Sequence, residues 1–438
     1  MSASQIALAM CPVFWPAMPP LSLAYLKGFL KKKKIEAECL DLNHFFFTHV
    51  SPAFKDEWRK SCSREFEKNI LDLLRMHCPA MVHSMIERLL HYDIIGFSCY
   101  KSNCVATQQI ARILKKNKPD MRILLGGPEI TACYFKWKEN ITEKFGDCAD
   151  FIVVGEGEAP LFDYVIEKNN PSPSIALFQE LDDADELGSP DFNDFELASY
   201  PKKGAISLML SRGCIRRCQF CAERLLYKKF RLYSVETIIQ QITSLTQKGI
   251  STFIFHDSLI NGDLFWLDRL CDAFIENCGS IKWEAQMAIR KDMSEALLRK
   301  MKRSGCYHLF VGLESGSRRT LKQMNKGYTP VDALHFFKKL NDAGLSFGIS
   351  MLIGFPGETQ EDFMKSLQFV IDNKAIIPKI EQVNPFVYYE GIPFKETSDY
   401  KDEPESLRRA QLFIERIKQE GIKHTNAFLL NLVEPEWK

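Results

Sequence analysis

Hydrophobic positions in this chain fall into two alternating patterns. Short continuous apolar runs, the mark of strands buried on both faces, are separated by stretches with apolar residues every three or four positions, the mark of amphipathic helices. In the first third, QIALAMCPVF (5 to 14) reads as a strand, LSLAYLKGFLKKK as a helix and AECLDLN as a second strand. The pattern resumes with DIIGFSCY (93 to 100), a helix from about 104 to 117, MRILLGGPEIT (121 to 131) and DFIVVGEGE (150 to 158). Such alternation predicts an α/β fold, here a doubly wound, Rossmann-like parallel sheet over residues 1–168. Residues 44 to 92 read as a mostly helical insertion without a chemical motif. Residues 169–203 are acidic and rich in Pro, Ser and Asp, and read as a linker.

Beyond the linker, AISLMLS, STFIFHD, KWEAQMA, CYHLFVGLES, LSFGISMLIG and KIEQVNPFV alternate with helical stretches. Six strand–helix repeats over 204–390 predict a partial (β/α)6 barrel of the TIM type rather than a closed eightfold one. The tail, 391–438, contains a helical stretch, SLRRAQLFIERIKQEG, expected to cap the open side. In both architectures ligands bind beyond the carboxyl ends of the strands. In the first sheet those ends are Pro12 to Pro20, Ser98 to Tyr100, Gly126-Gly127-Pro128 and Gly155 to Glu158. Tight turns alone account for a glycine in any one such loop, but four glycine-rich, polar or aromatic loops on one rim predict a binding site. No GxGxxG opens the first helix and no GxxxxGK(S/T) occurs, so the phosphate cradles of dinucleotide and nucleoside triphosphate sites are missing.

Composition narrows the partners. Lys plus Arg (57) balances Asp plus Glu (56), a formal charge of +1, so there is no broad electrostatic footprint for nucleic acid. The four-lysine run Lys31 to Lys34 reads as a solvated helix end. The N-terminal apolar run has no basic segment ahead of it, and no stretch reaches the roughly 18 apolar residues of a spanning helix. A cytoplasmic protein without nucleic-acid or membrane partners is expected. The 14 cysteines then form no disulfide framework, and most read as small buried hydrophobes.

Three cysteines stand apart. Cys214, Cys218 and Cys221, in SRGCIRRCQFC, follow the first strand of the barrel at CxxxCxxC spacing. A structural zinc site closes four ligands, usually from paired knuckles, and no second CxxC or His pair lies near. Three thiols in one tight loop suit three irons of a 4Fe-4S cluster, with the fourth iron open to a ligand that is not protein.

The CxxxCxxC loop on a six-repeat barrel, with VGLESGS, LKQMNKGYT and LIGFPGET, resembles the radical S-adenosylmethionine enzymes. The preceding sheet, with PPLSLAYL, DIIGFS, LLGGPEIT and VVGEGE, is similar to the cobalamin-binding domain fused to one branch of them. The resemblance spans about residues 5 to 390. It implies that Cys214, Cys218 and Cys221 ligate the cluster, and that S-adenosylmethionine chelates the open iron near Phe220, Asp257, Glu314 and Ser350. Asp257 stands in HDS where many relatives carry GGE, and a helix-capping Glu and an ordinary strand Ser compete as readings of Glu314 and Ser350. For cobalamin it implies Ser98, Gly126 and Gly127 at the nucleotide tail, with Trp15, Tyr100 and Glu156 on the same rim. The loop after the first strand has no DxHxxG, so no histidine is offered to cobalt there. The implied activity is formation of a 5'-deoxyadenosyl radical followed by cobalamin-dependent methyl transfer to an unactivated carbon of a small metabolite or peptide, with a flavodoxin or ferredoxin as reductant. Cobalamin-dependent cyclisation or rearrangement, a non-methylating radical enzyme and a non-enzymatic corrinoid or iron–sulfur protein are the alternatives. Methylthiolation of transfer RNA ranks below them.

Overall fold

The computed structural model describes residues 5–60, 64–167, 174–394 and 403–425. The chain divides into two compact units, residues 1–207 with 225–231, and residues 208–224 with 232–438.

The first unit is built on a parallel sheet of β1 (Ile6–Met10), β2 (Glu38–Asp41), β3 (Ile94–Ser98), β4 (Arg122–Gly126), β5 (Phe151–Val154) and β6 (Ser174–Leu177), in the order β2-β1-β3-β4-β5-β6. Every residue of β1 and β5 is buried, as strands covered on both faces require. The helices are α1 (Leu21–Lys32), α2 (Leu42–His49), α3 (Pro52–Lys60), α4 (Arg64–His77), α5 (Pro79–Leu90), α6 (Cys104–Asn117), α7 (Pro128–Trp137), α8 (Ile141–Phe145) and α9 (Glu158–Ile166). The expected helical insertion is a full core layer. Phe46, Trp58, Ile70, Leu74 and Leu89 from α2 to α5 share one buried cluster with Ile95, Phe97 and Ile123 of the sheet.

The stretch expected as a linker is for the most part a strap on this unit. Residues 174–177 form β6, and the following segment is stitched to α1 by Lys27 with Asp194 (2.5 Å), Lys31 with Asp191 (2.7 Å) and the Asp191 N–H to the Ala24 carbonyl (2.8 Å). Gly28 permits the approach, since a Cβ there would stand 1.9 Å from the Ser189 carbonyl oxygen. Two of the four lysines read as a solvated helix end, Lys31 and Lys32, are therefore fastened to the strap.

The second six-stranded sheet is parallel in its recorded pairs. It opens with β7 (Ala205–Leu208), within which the two units divide. Two short strands, β8 (Ser211–Arg212) and β9 (Arg231–Leu232), pair with each other around α10 (Glu223–Leu226). Then come α11 (Val235–Thr246), β10 (Thr252–Phe255), α12 (Leu264–Asn277), β11 (Lys282–Met287), α13 (Glu295–Arg303), β12 (Cys306–Glu314), α14 (Arg318–Gln323), α15 (Pro330–Asp342), β13 (Phe347–Ile353), α16 (Gln360–Asp372), β14 (Ile380–Pro385) and α17 (Glu403–Gln419). The order β14-β13-β12-β11-β10-β7 is the open six-repeat barrel read from the sequence. The starts of its helices are written locally. Ser234, Asp263, Ser294 and Ser317 each accept an N–H of the first turn, and Thr329 and Thr359 form capping boxes with Asp332 and Asp362. The tail beyond α17 runs beside the edge strand, with the Ile380 N–H donating to Lys423 (2.9 Å) and the Thr425 N–H to Ile380 (2.8 Å). Edge strands left bare recruit other chains, and this segment covers part of that edge. The rest of the tail lies outside the described residues.

Candidate functional site

The cysteine loop leaves the carboxyl end of β7 and is clamped from several sides of the second unit. Arg216 donates to the Ile289 carbonyl (3.0 Å) beyond β11, and Asn325 donates to the Arg217 carbonyl (2.9 Å). The Gln219 N–H bonds to the Met324 carbonyl (3.0 Å), and Ser258 donates to Glu223 (2.9 Å) just after the last cysteine. Asn325 adopts φ +58°, a left-handed conformation that asparagine tolerates better than most residues.

Burial raises all three thiols above their ordinary range, Cys221 to about 12, and Cys214 and Cys218 add to the rise at Cys221. The Arg216 N–H donates to the Cys214 sulfur at 3.4 Å, and the neighbouring Glu223 carboxylate raises Cys214 and Cys221 further. Adjacent buried thiols of this kind suit ligation, in which a cationic cluster displaces their protons, rather than nucleophilic catalysis. Among the described residues no three His, Cys, Asp or Glu side chains are close enough to share one metal ion. A 4Fe-4S cluster does not ask for that, because each thiolate binds a different iron.

Beside the loop the structure brings together three of the residues expected around S-adenosylmethionine. Ser350 of β13 donates to Glu314 of β12 (3.3 Å), and Glu314 pairs with Lys326 (3.2 Å), whose ammonium lies 5.5 Å over the Phe220 ring. Glu314 sits at φ +68°, where the pairing of β12 with β13 shifts register. A non-glycine residue in that conformation beside a bulge is a device for re-aiming a side chain at a site. Burial by itself would lower Lys326, but Tyr328, Glu314 and Cys218 hold it above the ordinary lysine range. The group therefore offers a fixed cation, an aromatic face, a carboxylate and a hydroxyl, the donor set for a zwitterionic amino acid joined to a nucleoside. Lys326 was not singled out from sequence. It lies in LKQMNKGYT without periodicity, and only the fold reveals its ion pair.

Asp257, just beyond the end of β10, lies against the start of the cysteine loop. It follows the parity of Phe253 and Phe255, the face that packs on α12, and its carboxylate accepts the Leu210 N–H (3.0 Å) and the Ser211 hydroxyl (2.5 Å). Burial lifts it to about 6. It thus fastens the start of the cysteine loop, and its oxygens are engaged with protein donors.

On the rim of the first unit, Ser98 ends β3 with its hydroxyl 3.0 Å from that of Ser22, and Gly126 ends β4. Gly127 has φ +101°, and a Cβ there would stand 2.7 Å from the Cys99 carbonyl oxygen, so only glycine keeps these two loops together. Tyr100 packs at a tilt against Phe14 (ring centroids 4.8 Å apart), and Trp15 carries Lys202 5.3 Å over its ring. The hydroxyl pair, the glycine turns and the two aromatics fit a ligand with a nucleotide-like tail and a large apolar face. Glu156, in the loop after β5, is held by an ion pair. Both of its oxygens receive the Arg231 guanidinium (2.6 and 3.0 Å), with all three groups of the Arg231, Glu156 and Glu180 cluster buried.

Comparison with known proteins agrees with this division. Residues 208–370 match the Radical SAM superfamily, and residues 64–164 match the B12 binding domain. The chain carries a Radical SAM domain and a B12 binding domain. Its cofactors are accordingly a 4Fe-4S cluster, S-adenosylmethionine and cobalamin.

Among curated proteins, an uncharacterized methyltransferase of Pyrococcus horikoshii is 28% identical over 302 residues, 63% of this chain and 63% of that protein. A tRNA-2-methylthio-N(6)-dimethylallyladenosine synthase of Natranaerobius thermophilus is 25% identical over 341 residues, 74% of this chain and 71% of that one. Among solved structures, the radical S-adenosylmethionine methyltransferase TsrM of Kitasatospora setae, with cobalamin and a 4Fe-4S cluster bound, is 17% identical with a TM-score of 0.64, covering 89% of this chain and 77% of TsrM. The cobalamin-dependent S-adenosylmethionine radical enzyme OxsB is 17% identical with a TM-score of 0.63, covering 95% of this chain and 56% of OxsB. At these identities the two structures share the fold. No described helix is long and apolar enough to cross a membrane.

Proposed function

We propose that this protein is a cobalamin-dependent radical methyltransferase that acts on an unactivated carbon of a small metabolite or peptide. One observation carries the reading: a B12 binding domain and a cysteine-triplet barrel occupy one chain. Bound together, the cluster and S-adenosylmethionine supply a radical that can take hydrogen from an unactivated carbon, and cobalamin supplies a methyl group.

The chain's own residues hold and orient these groups. Cys214, Cys218 and Cys221 hold the cluster, and Arg216, Asn325 and Asp257 fix the loop that presents them. Lys326 supplies a countercharge for the methionyl carboxylate, Glu314 an acceptor for its amine or for ribose, and Phe220 a face for the adenine. Ser98, Gly126 and Gly127 receive the nucleotide tail of cobalamin, with Tyr100 and Trp15 beside the corrin.

The names of the curated relatives favour a second reading, methylthiolation. A substrate incubated with methyl-labelled S-adenosylmethionine decides between them. A product heavier by one labelled methyl in place of hydrogen supports methylation, and gain of a methylthio group supports the second reading. Deoxyadenosine released with neither addition counts against both, and points to cyclisation or rearrangement.

A further inference from the structure

Outside the cluster triplet, two cysteines of the first unit are in contact with each other. Cys99 follows the last residue of β3, and Cys104 is the first residue of α6. The chain between them is folded back by Asn103, which is fully buried. Its side-chain oxygen accepts the Tyr100 N–H (2.8 Å), and its amide nitrogen donates to the carbonyls of Ser98 (3.2 Å) and Cys11 (3.3 Å). The Cys104 N–H then closes on the Tyr100 carbonyl (3.0 Å). This turn sets the Cys99 thiol against the Cys104 sulfur, to which it donates a hydrogen bond.

The two sulfurs are unlike. Cys104 also receives the Gln108 side-chain amide (3.5 Å), and it stands at the positive end of a 14-residue helix that has no side-chain cap. The Cys99 hydrogen bond lowers Cys104 below the ordinary thiol range against the effect of burial, and the same bond, together with burial, holds Cys99 well above it. Cys11, Cys39, Cys78, Cys133 and Cys148 of this unit are all raised, with burial the first cause. A sulfur that favours its charged form, in contact with a second thiol that keeps its proton, is the arrangement of an attacking and a resolving cysteine. Cys104 is only 6% exposed, so a small oxidant suits it and a bulky disulfide does not.

We propose that Cys99 and Cys104 are a redox-active pair that a peroxide converts to a disulfide, a reversible covalent clamp on the rim that carries Ser98 and Tyr100. The Cys104 thiolate attacks one oxygen of hydrogen peroxide, the O–O bond breaks and hydroxide leaves, giving a sulfenic acid at Cys104. The Cys99 sulfur attacks that sulfur, the S–O bond breaks, and the oxygen leaves as water with the Cys99 proton. In all, the two thiols lose two electrons and two protons, and one hydrogen peroxide becomes two waters. The closed ring contains Tyr100, and the Cys99 carbonyl in it accepts the Glu129 N–H (3.1 Å) beside the Gly127 turn, so the clamp bears directly on both loops. The pair belongs to the B12 binding domain and needs no methyl transfer.

Peptide mapping of the full chain tests this. The protein, with its iron–sulfur cluster reconstituted and without cobalamin, is treated with one equivalent of hydrogen peroxide, alkylated in denaturant and cut with trypsin. Cleavage after Lys101 separates the two cysteines, so the disulfide joins peptides 89–101 and 102–112 into one species about 2 Da lighter than their sum. That species is expected, and dithiothreitol should abolish it. The cluster cysteines lie in other peptides, so loss of the cluster to peroxide does not obscure the result. In Cys99→Ser, dimedone should trap a sulfenic acid at Cys104, whereas Cys104→Ser should give no adduct at Cys99. Both cysteines recovered as alkylated thiols, either one joined to Cys11 or Cys133 instead, or the dimedone adduct on Cys99 would each overturn the proposal. The map of the parent chain needs no variant, so it decides the matter if the variants fail to fold.

Discussion

Lys326 links the cysteine loop to the residues expected around S-adenosylmethionine, being within reach of Glu314, the Phe220 ring and the charge of Cys218. Lys326→Met removes the cation and leaves Glu314 largely buried and uncompensated. Affinity for S-adenosylmethionine should fall about 10- to 100-fold, as equilibrium dialysis of the reconstituted protein would show, while the cluster still assembles on its three cysteines. Asp257 gives a prediction in pH. An acid whose folded value is raised, here from 3.8 to about 6, binds more protons folded than unfolded, so its share of stability is present below about pH 4 and lost as pH rises through 6. Asp257→Asn cannot titrate. The stability of the variant relative to the parent should therefore rise between pH 4 and pH 7, by up to about 3 kcal/mol, measured by denaturant unfolding of the cluster-free protein. A flat difference across that range would show that the carboxyl is not held as described.

At the scale of elements, the peptide leaving the cysteine loop carries Arg231, which is buried against Glu156 and Glu180 in the first unit. Removing one partner of a buried pair leaves an unpaired charge, so Arg231→Met should destabilise the first unit by about 3–5 kcal/mol. Because Glu156 lies in the loop after β5, cobalamin retention on gel filtration should also fall. Arg231→Lys should restore part of both. These elements also show what sequence can and cannot tell. The strands and helices of the second unit expected from apolar runs and helical spacing are present within a few residues, because each of α11 to α16 begins at a Ser, Thr or Asp cap and each strand is long enough to register. The segment SIAL of β6 was lost in a polar stretch, being only 4 residues long. The cysteine triplet was legible because its chemistry is local. The partners of Asp257, Glu156 and Lys326 were not, since each is fixed by a residue 12 to 75 positions away that only the fold brings near.

For the molecule as a whole, the fused organisation is the basis of the account, with a sheet whose rim suits a nucleotide-tailed cofactor and a barrel whose first loop offers three thiols. Its balanced charge leaves no broad electrostatic footprint for nucleic acid. Both units must be loaded for the proposed chemistry, so the most direct measurement is the iron and cobalt content of the full chain purified without oxygen from cells supplied with cobalamin. The account predicts about four irons and about one cobalt per chain, with the iron lost and the cobalt kept when Cys214, Cys218 and Cys221 are all replaced by Ala. Iron retained in that variant, or no corrin in the parent protein, would contradict it.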